Sequence, residues 1–452
     1  MTMLVGANNA GKTSLYSPLL LLKQTVESAH RATPLLSQGR LFDAGRFSDF
    51  VRNHDIEQRV TFSIDLTDLI SEIASDNANV TNLPAEFMPS VFELSFTAGD
   101  EAGLRTALRR YRLTNRENQT LFRRTLMSSG SYAMGGTVVP GEKQLGPTPE
   151  PFKGAISAVR SETPENFFFG GFPLLFAVDF QDLGNKQRAA ASRWMSASVR
   201  TFQVQQTANM AIRNALRQVS YVGPLRAMPK RTYRISPEAP QDVGVEGEFA
   251  PEILYRNKVD GDGELVHQVG EFLEDCGYGR IDFQERGDGD AFSVVVGGRA
   301  GANLVDCGMG LSQILPLVTQ VLGAGSSSLA IVQQPEIHLN PALQVKLLEL
   351  LAGSVKRGRR VLIETHSEHL LLRLRRLIAQ GEISTDIVTL MFAERTEGRS
   401  TLREIGVSDV GAISRDDWPR GFFAEQLDDS ILLARQQARR AREERGADGG
   451  QA

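Results

Sequence analysis

Residues 6–13 of the chain read Gly6-Ala7-Asn8-Asn9-Ala10-Gly11-Lys12-Thr13. This stretch follows the apolar residues Met1 to Val5 and precedes a leucine-rich segment that is prone to form a helix. A strand, a glycine loop with the spacing GxxxxGK[ST] and a helix, in this order, are typical of a P-loop. Its backbone amides and Lys12 bind nucleotide phosphates, and Thr13 is placed to bind Mg²⁺. The predicted nucleotide contacts in this loop are Gly6, Asn8, Asn9, Ala10, Gly11, Lys12, Thr13 and Ser14.

The composition limits the classes of protein to which the chain could belong. It has 452 residues, of which 41% are hydrophobic and 23% charged, so it can build a sizeable core. Its 50 basic residues are balanced by 54 acidic ones, so any nucleic-acid contact must come from local patches. Cys276 and Cys307 lack the spacing of a metal or redox pair and predict reduced thiols in a cytoplasmic protein. The longest apolar run, Leu19 to Leu22, is far too short to cross a membrane, so no membrane partner is expected.

Three later segments add to the P-loop. They are Asp306-Cys307-Gly308-Met309-Gly310-Leu311-Ser312-Gln313, then LAIVQQPEIHLNP from Leu329 to Pro341, and VLIETHS from Val361 to Ser367. In this order they resemble the signature motif, the Walker B strand with its D-loop, and the switch-histidine segment of ABC-type AAA family ATPases of the SMC, RecF-like and OLD-like kinds. The resemblance implies an α/β fold, a P-loop NTPase of ABC head type. Such a head has a mainly parallel central sheet, an antiparallel β subdomain and a helical insertion.

The same resemblance implies where ATP and a second subunit bind. In such heads Gly310 and Ser312, at the start of the signature helix, approach the γ-phosphate held by the other subunit, so we expect a homodimer with ATP sandwiched between the heads. His366 is expected to reach the γ-phosphate. No base-reading motif of the small GTPases is visible, which favours ATP with Mg²⁺ as the cofactors. No Q-loop glutamine is evident, since Gln24 lies in the helix after the P-loop and is expected to be exposed.

Segments outside the ATP site extend the resemblance over most of the chain. Leu20 to Thr25, Tyr221 to Arg226, Gly411 to Ser414 and Trp418 to Phe423 look like segments of OLD-like ATPases that carry a C-terminal domain of unknown function, as in bacterial defence ATPases of the Septu type. We therefore expect residues 1–66 to form the P-loop part of the head and 67–220 an inserted β-rich and helical region. Residues 221–408 are expected to complete the head, and 409–452 to form a family-specific tail.

Two glutamines depart from the family pattern. Gln333 and Gln334 occupy the positions where the magnesium-side acid and the catalytic glutamate are expected. An amide is no general base and binds Mg²⁺ more weakly than a carboxylate, so slow hydrolysis is expected of this ATPase. Thr13 and Gln333 are the predicted metal-side residues, and Gln334, Glu336 and His366 the predicted catalytic ones. Two roles stay open for Glu336: it takes over from the missing acid, or it fixes the D-loop.

Three functions agree with these motifs. The first is an ATP-dependent switch that controls a nuclease or effector partner in phage defence, which the resemblance alone implies. The second is a DNA-repair or chromosome-binding ATPase that contacts DNA through the arginines from Arg105 to Arg124 and from Arg226 to Arg234. Solvated strand faces and a structural loop explain those arginines at least as well. The third is a nucleotide-binding scaffold with negligible turnover, which the two glutamines favour.

Overall fold

The computed structural model describes residues 1–76, 83–139, 185–287, 289–298, 301–325, 328–396 and 398–414, with short pieces at 145, 147–149, 152–153, 164–169, 432 and 435–437. The chain divides into two compact units. The P-loop unit comprises Met1–Leu15 and Ser220–Ala452, and the inserted unit comprises Tyr16–Val219. Each unit has its own hydrophobic core.

The strands are, in chain order, β1 (Thr2–Gly6), β2 (Val60–Asp65), β3 (Val91–Ala98), β4 (Thr106–Thr114), β5 (Thr120–Leu126), β6 (Tyr132–Gly135), β7 (Val219–Val222), β8 (Tyr233–Arg234), β9 (Ile281–Arg286), β10 (Ala291–Val296), β11 (Ala302–Asn303), β12 (Leu329–Gln333), β13 (Arg360–Glu364), β14 (Thr389–Thr396) and β15 (Arg399–Ile405). The helices are α1 (Ser17–Glu27), α2 (Phe47–Phe50), α3 (Thr67–Asp76), α4 (Asn185–Arg217), α5 (Ala250–Val259), α6 (Glu264–Asp275), α7 (Met309–Gly323), α8 (Pro341–Lys356) and α9 (Glu368–Ala379).

The P-loop unit is built on a six-stranded sheet with the order β15-β14-β1-β13-β12-β7. Strand β1 lies parallel to both β13 and β14, and β12 lies parallel to β13, whereas β15 is antiparallel to β14. The central strands carry continuous apolar runs, such as Met3 to Val5 and Ala330 to Val332, because a parallel sheet is buried on both faces. The carboxyl ends of β1, β12 and β13 therefore meet at one edge of the sheet, where ligands bind in open α/β folds. The P-loop starts at this edge.

A small antiparallel sheet completes the P-loop unit. Strand β10 pairs antiparallel with β8, β9 and β11. Tyr255 of α5 stacks on Phe292 of β10, with ring centroids 4.3 Å apart. This aromatic contact fixes α5 against the small sheet.

The inserted unit is an antiparallel sheet with helices. Its five strands run in the order β2-β3-β4-β5-β6, each antiparallel to the next. In β2, half-buried Val60, Phe62 and Ile64 alternate with exposed polar residues, as the sequence pattern predicts. The 33-residue helix α4 buries small and apolar side chains, among them Val204, Ala208 and Ile212, in the core of this unit.

The predicted fold class is confirmed: a mainly parallel central sheet, an antiparallel β subdomain and a helical insertion are all present. The division into units differs from the expected boundary at residue 66, because β2 pairs with β3 and residues 16–66 group with the inserted unit. In the tail, Gly411 packs on α9, where a side chain at its positive φ of 70° would overlap the Arg375 carbonyl oxygen. The predicted segment Trp418 to Phe423 lies outside the described residues. In the part of the chain that the structure describes, no helix combines the length and apolarity needed to cross a membrane.

Candidate nucleotide-binding site

The P-loop leaves β1 at Gly6 and ends in a 3-10 turn, Thr13–Leu15. Gly6 has a φ of 149° and lies so close to the Ala393 carbonyl that a side chain there would overlap it. Gly11 has a φ of 86° and is the second position in this loop whose backbone conformation favours glycine. Asn9 also has a positive φ, 63°, which asparagine tolerates better than most residues. Of the other predicted contacts, Asn8, Asn9 and Ser14 are exposed and Ala10 is buried.

The ammonium group of Lys12 lies across the loop. Its Nζ donates to the carbonyl oxygens of Gly6 at 3.1 Å and Ala7 at 2.8 Å. Burial lowers the pKa of Lys12, while the nearby carboxylates of Glu364 and Glu336 act in the opposite direction. The lysine is thus held by neutral carbonyl groups, which phosphate oxygens can replace at a gain in charge interaction.

Thr13 faces the ends of β12 and β13. Its hydroxyl donates to the Glu364 carboxylate, 3.1 Å from Oε2 and 3.5 Å from Oε1. The side-chain amide of Gln333 lies beside both, with Nε2 at 3.5 Å from the Thr13 hydroxyl and 3.4 Å from Glu364 Oε1. Tyr221 donates from its hydroxyl to Gln333 Oε1 at 2.6 Å. The predicted metal-side residues Thr13 and Gln333 are therefore neighbours, but the carboxylate beside them belongs to Glu364.

The chain turns sharply after β12. Gln334 has a positive φ of 45°, and its backbone N–H donates to the backbone carbonyl oxygen of Glu364 at 2.7 Å. The guanidinium of Arg226 reaches the carbonyl oxygens of Gln333 and Gln334 at 3.4 Å and 3.1 Å. Burial lowers the pKa of Arg226 to about 10, partly offset by the carboxylate of Glu336. A buried cation thus fixes the backbone at the two positions that lack an acid.

The Glu336 carboxylate fixes the switch-histidine segment. Thr365 donates to it from its hydroxyl and His366 from its backbone amide, both at 2.8 Å. Burial and the positive charge of Lys12 lower the pKa of His366, against the effect of Glu336 and Glu364. The neutral form of the imidazole is therefore favoured, and the ring lies within electrostatic range of the P-loop lysine. With both oxygens engaged, Glu336 has the geometry of a residue that positions the loop, the second of its two open roles.

Two hydrogen-bonded caps connect the D-loop to the switch-histidine segment. Asn340 caps α8 by accepting from the Leu343 amide, and Ser367 caps α9 by accepting from the Leu370 amide. The Ser367 hydroxyl also donates to Gln344 Oε1 at 2.6 Å, and Gln344 Nε2 donates to the Leu339 carbonyl at 2.9 Å. Gln344 thus joins the end of the D-loop to the start of α9 by hydrogen bonds.

The signature segment begins helix α7 on the same unit. Gly308, at the N-cap, and Met309 are exposed. Ser312 is buried instead, and its hydroxyl donates back to the Met309 carbonyl at 2.8 Å. Gly310 lies against the D-loop, since a Cβ built on it would be 3.4 Å from the His338 carbonyl oxygen. At the start of helix α7 the exposed residues are thus Gly308 and Met309, whereas the predicted contact Ser312 faces the interior.

The sequence did not reveal three residues of this site, and it predicted the wrong exposure for one residue outside the site. Glu364, Tyr221 and Arg226 were not among the predicted nucleotide or metal residues, although Glu364 belongs to the VLIETHS segment that was expected to carry the switch histidine. Gln24 was expected to be exposed, which is wrong: it is buried, and its amide bonds the loop residues Leu36 and Phe42. Its hydrogen-bond partners follow it by more than ten residues in the chain, so its helix alone does not reveal them.

Comparison with known proteins supports the assignment of the motifs. A family model described as "AAA domain, putative AbiEii toxin, Type IV TA system" matches residues 226–373, which hold the signature, Walker B and switch-histidine segments. No protein with a curated description matches.

Among solved structures, SMC heads match with 10% identity over 90% of this chain and 90% of each of theirs. They are an SmcHead bound to the C-winged helix domain of ScpA, TM-score 0.36, and an Smc head with an extended coiled coil bound to the C-terminal domain of ScpA, derived from Pyrococcus furiosus, 0.32. A third is the SMC head domain from Thermotoga maritima, 0.30. Because these TM-scores are low, the assignment depends on the strand order and motifs of this chain. The chain has the fold of a P-loop NTPase of ABC head type, and its residues 226–373 match an AAA domain.

Proposed function

We propose that this chain is an ATP-binding head that works as an ATP-dependent switch. One observation carries the proposal: the P-loop lysine, the Thr13 hydroxyl, a buried carboxylate and the switch histidine gather at the carboxyl edge of one parallel sheet. A cation, a hydroxyl and a carboxylate at the mouth of a glycine loop are the groups that bind a nucleoside triphosphate with its magnesium ion. ATP, with Mg²⁺, is the ligand that we assign.

The switch acts through closure of two heads on two nucleotides. The exposed start of α7 and the D-loop residue His338 lie side by side, so a single surface can meet the P-loop of a second copy. His338 has a positive φ of 62°, a strained conformation for a histidine. Strain of this kind is common at ligand clamps and switch regions, which supports a role for the D-loop in closure.

Turnover in this switch is slow. Gln333 and Gln334 occupy the sequence positions where the two acids are expected, and an amide cannot take a proton from the attacking water. The closed dimer therefore persists after ATP binds, and its lifetime sets the signal that a partner receives.

The partner is a nuclease or effector in bacterial phage defence. The matching family is described as a putative AbiEii toxin of a Type IV TA system, which supports a protein that acts together with a partner. The resemblance to OLD-like and Septu-type ATPases supports the same role.

The test measures ATP binding and ATP turnover together on the purified chain. We expect saturable binding of ATP in equilibrium dialysis, an increase in mass from monomer to dimer in light scattering, and turnover far below one per second, the low end of enzyme rates. A chain that shows no saturable ATP binding would refute the proposal. Fast turnover without an ATP-dependent dimer would refute the switch and leave a simple ATPase.

The glutamines favour a second candidate, a nucleotide-binding scaffold with negligible turnover. It differs from the switch in its response to ATP, because a scaffold holds its nucleotide without a cycle. Exchange of bound ATP against a fluorescent ATP analogue separates the two: a switch releases its nucleotide when the dimer opens, and a scaffold retains it over hours.

The DNA-binding alternative receives less support from the arginines that suggested it. Arg110 and Arg112 pair with Glu93 at 3.4 Å and 3.8 Å. Arg124 is fully buried over the Phe169 ring. Contacts to phosphates make DNA binding salt-dependent, so binding of duplex DNA that weakens with salt would support this alternative.

The second group of arginines is engaged in a similar way. Arg226 is buried behind β12, and Arg231 forms a bidentate pair with Asp306 at 2.7 Å and 2.9 Å. Arg234, the last residue of β8, is exposed. The Arg231 pair connects the loop after β7 to the segment before the signature helix, which is a structural use of that charge.

A further inference from the structure

We propose that Glu364, on β13, supplies the magnesium-side carboxylate that the Walker B strand of this chain lacks. The inference rests on the proposed function, because it names the metal-binding group of the same ATP site. The inference changes what the two glutamines imply for the site. The acid of the metal site is retained on the neighbouring strand, and only the general base is missing.

The register of the sheet places Glu364 where a Walker B acid can act. Glu364 is the last residue of β13 and pairs directly with Gln333, the last residue of β12. Neighbouring strands are about 4.8 Å apart, so moving the acid across one strand leaves it at the same edge. The side chain of glutamate spans this distance, and its Oε2 lies 3.1 Å from the hydroxyl of Thr13.

The surroundings of Gln333 assign the two side chains different tasks. The Tyr221 hydroxyl binds the amide oxygen at 2.6 Å, so the amide nitrogen is directed toward Thr13 and Glu364. An amide NH₂ group donates hydrogen bonds and does not bind a cation. Gln333 is therefore a positioning residue, and the carboxylate that it orients is the group able to bind Mg²⁺.

The donor set fits the ion. Mg²⁺ prefers oxygen ligands and is commonly held by one or two carboxylates together with substrate phosphates. Thr13 and Glu364 offer a hydroxyl and a carboxylate, and the P-loop offers the phosphates. Only 3% of Glu364 is exposed, and its carboxylate is held at this edge by the Thr13 hydroxyl and the Gln333 amide. Magnesium is a divalent cation that binds at this edge together with ATP.

The experiment compares the ATP affinity of the full chain in Mg²⁺ with its affinity in EDTA, by equilibrium dialysis. In the wild type, Mg²⁺ should increase the affinity. Glu364→Gln should reduce this gain at least about tenfold, because loss of a group that supports a metal typically costs tenfold to hundredfold. Its affinity in EDTA should stay the same. Glu394→Gln, the same change at an exposed position on β14, is the matched control and should keep the gain.

A relocated acid completes the test. Gln333→Asp combined with Glu364→Gln returns the carboxylate to β12 and should restore the Mg²⁺ gain. The same variants are titrated with Mn²⁺ in the presence of ATP, with free Mn²⁺ followed by electron paramagnetic resonance. Glu364→Gln should release Mn²⁺ that the wild type and the double variant retain.

The outcomes separate this inference from the proposed function. An undiminished Mg²⁺ gain in Glu364→Gln, or a Mn²⁺ titration equal to that of the wild type, would overturn the role of Glu364. A Glu364→Gln chain that also loses ATP affinity in EDTA would assign the residue to the loop instead of the metal. If the wild type itself binds no ATP in either buffer, the proposed function fails.

Discussion

Lys12 in the P-loop unit and Lys23 in the inserted unit are both buried, with 5% and 4% of their surfaces exposed, yet their partners differ. Lys23 forms an ion pair with Glu27 and reaches the Leu216 carbonyl at 3.4 Å. Lys12 donates to two neutral carbonyls of its own loop. A buried lysine that already has a carboxylate partner stabilises the fold, whereas one held by carbonyls can transfer its hydrogen bonds to an anionic ligand.

The buried arginines repeat this contrast. In the inserted unit, the guanidinium of Arg124 lies 3.9 Å above the Phe169 ring, a stable cation–π contact. In the P-loop unit, Arg226 holds two carbonyls at the end of β12, and its Nε and Nη1 have no hydrogen-bond partner among the residues that the structure describes. The buried arginine of the P-loop unit thus holds the backbone at the edge of a parallel sheet, whereas that of the inserted unit packs on an aromatic ring.

The largest expected effect tests whether the edge of the P-loop unit lacks only a general base. Gln334→Glu should raise ATP turnover by about a hundredfold or more, the usual contribution of a positioned base. Gln119→Glu adds the same charge at an exposed turn of the inserted unit and should leave turnover unchanged. A coupled assay for ADP measures both.

Glu336 provides the rival explanation of any turnover. If this carboxylate already serves as the base, wild-type turnover is brisk and Glu336→Gln removes it. Brisk turnover that survives the loss of Glu336 would contradict both accounts and show that the Walker B strand is assigned incorrectly.

The next prediction tests the difference between the two buried lysines directly. Lys12→Met should weaken ATP binding by roughly a hundredfold, since a hydrogen bond to a charged group is worth about 1.5–3 kcal/mol. Lys23→Met should leave ATP affinity within about twofold and lower the melting temperature, because the buried Leu216 carbonyl loses its donor. Equilibrium dialysis measures the ATP affinity of both variants, and thermal melting measures their stability. Equal loss of ATP affinity in the two would remove the distinction between the units.

A smaller effect is expected at the signature segment. Gly308 has an ordinary φ of −61° and open space where a Cβ would lie, so Gly308→Glu should fold normally. The added charge meets the ATP of the second head and should weaken the ATP-dependent dimer about tenfold in light scattering, with ATP binding by the monomer unchanged. A normal dimer in this variant would exclude the exposed helix start from the interface. Gly325→Glu, also in open space, is the control.

The smallest effect concerns pH. Burial and Lys12 lower the pKa of His366 below its usual value of about 6.5, so the unfolded chain takes up a proton first as the pH falls. The stability contributed by the neutral imidazole is present above the unfolded pKa and is lost as the pH falls from there toward the folded one. The melting temperature should therefore decline as the pH falls below about 6.5, and less steeply in His366→Gln. The same change at exposed His30 should leave the slope as it is.

The sequence by itself determined the fold class and the presence of a P-loop. Both depend on local patterns: GxxxxGKT between a strand and a helix, apolar runs for buried strands, and the order of the later motifs. It also predicted His366 as a residue of the site and the two glutamines as departures from the family pattern. These features are readable because each is carried by residues that are close together in the chain.

Only the tertiary structure decided which groups meet. Thr13 and Glu364 are 351 residues apart in the chain, and Tyr221 and Gln333 are 112 apart. The register between β12 and β13 joins the acid to the loop, and no local pattern specifies that register. The burial of Gln24 and Arg226 depends in the same way on partners that are distant in the chain. A side chain's neighbours are fixed by packing over the whole unit, so its residue type and local spacing predict its chemistry but not its partner.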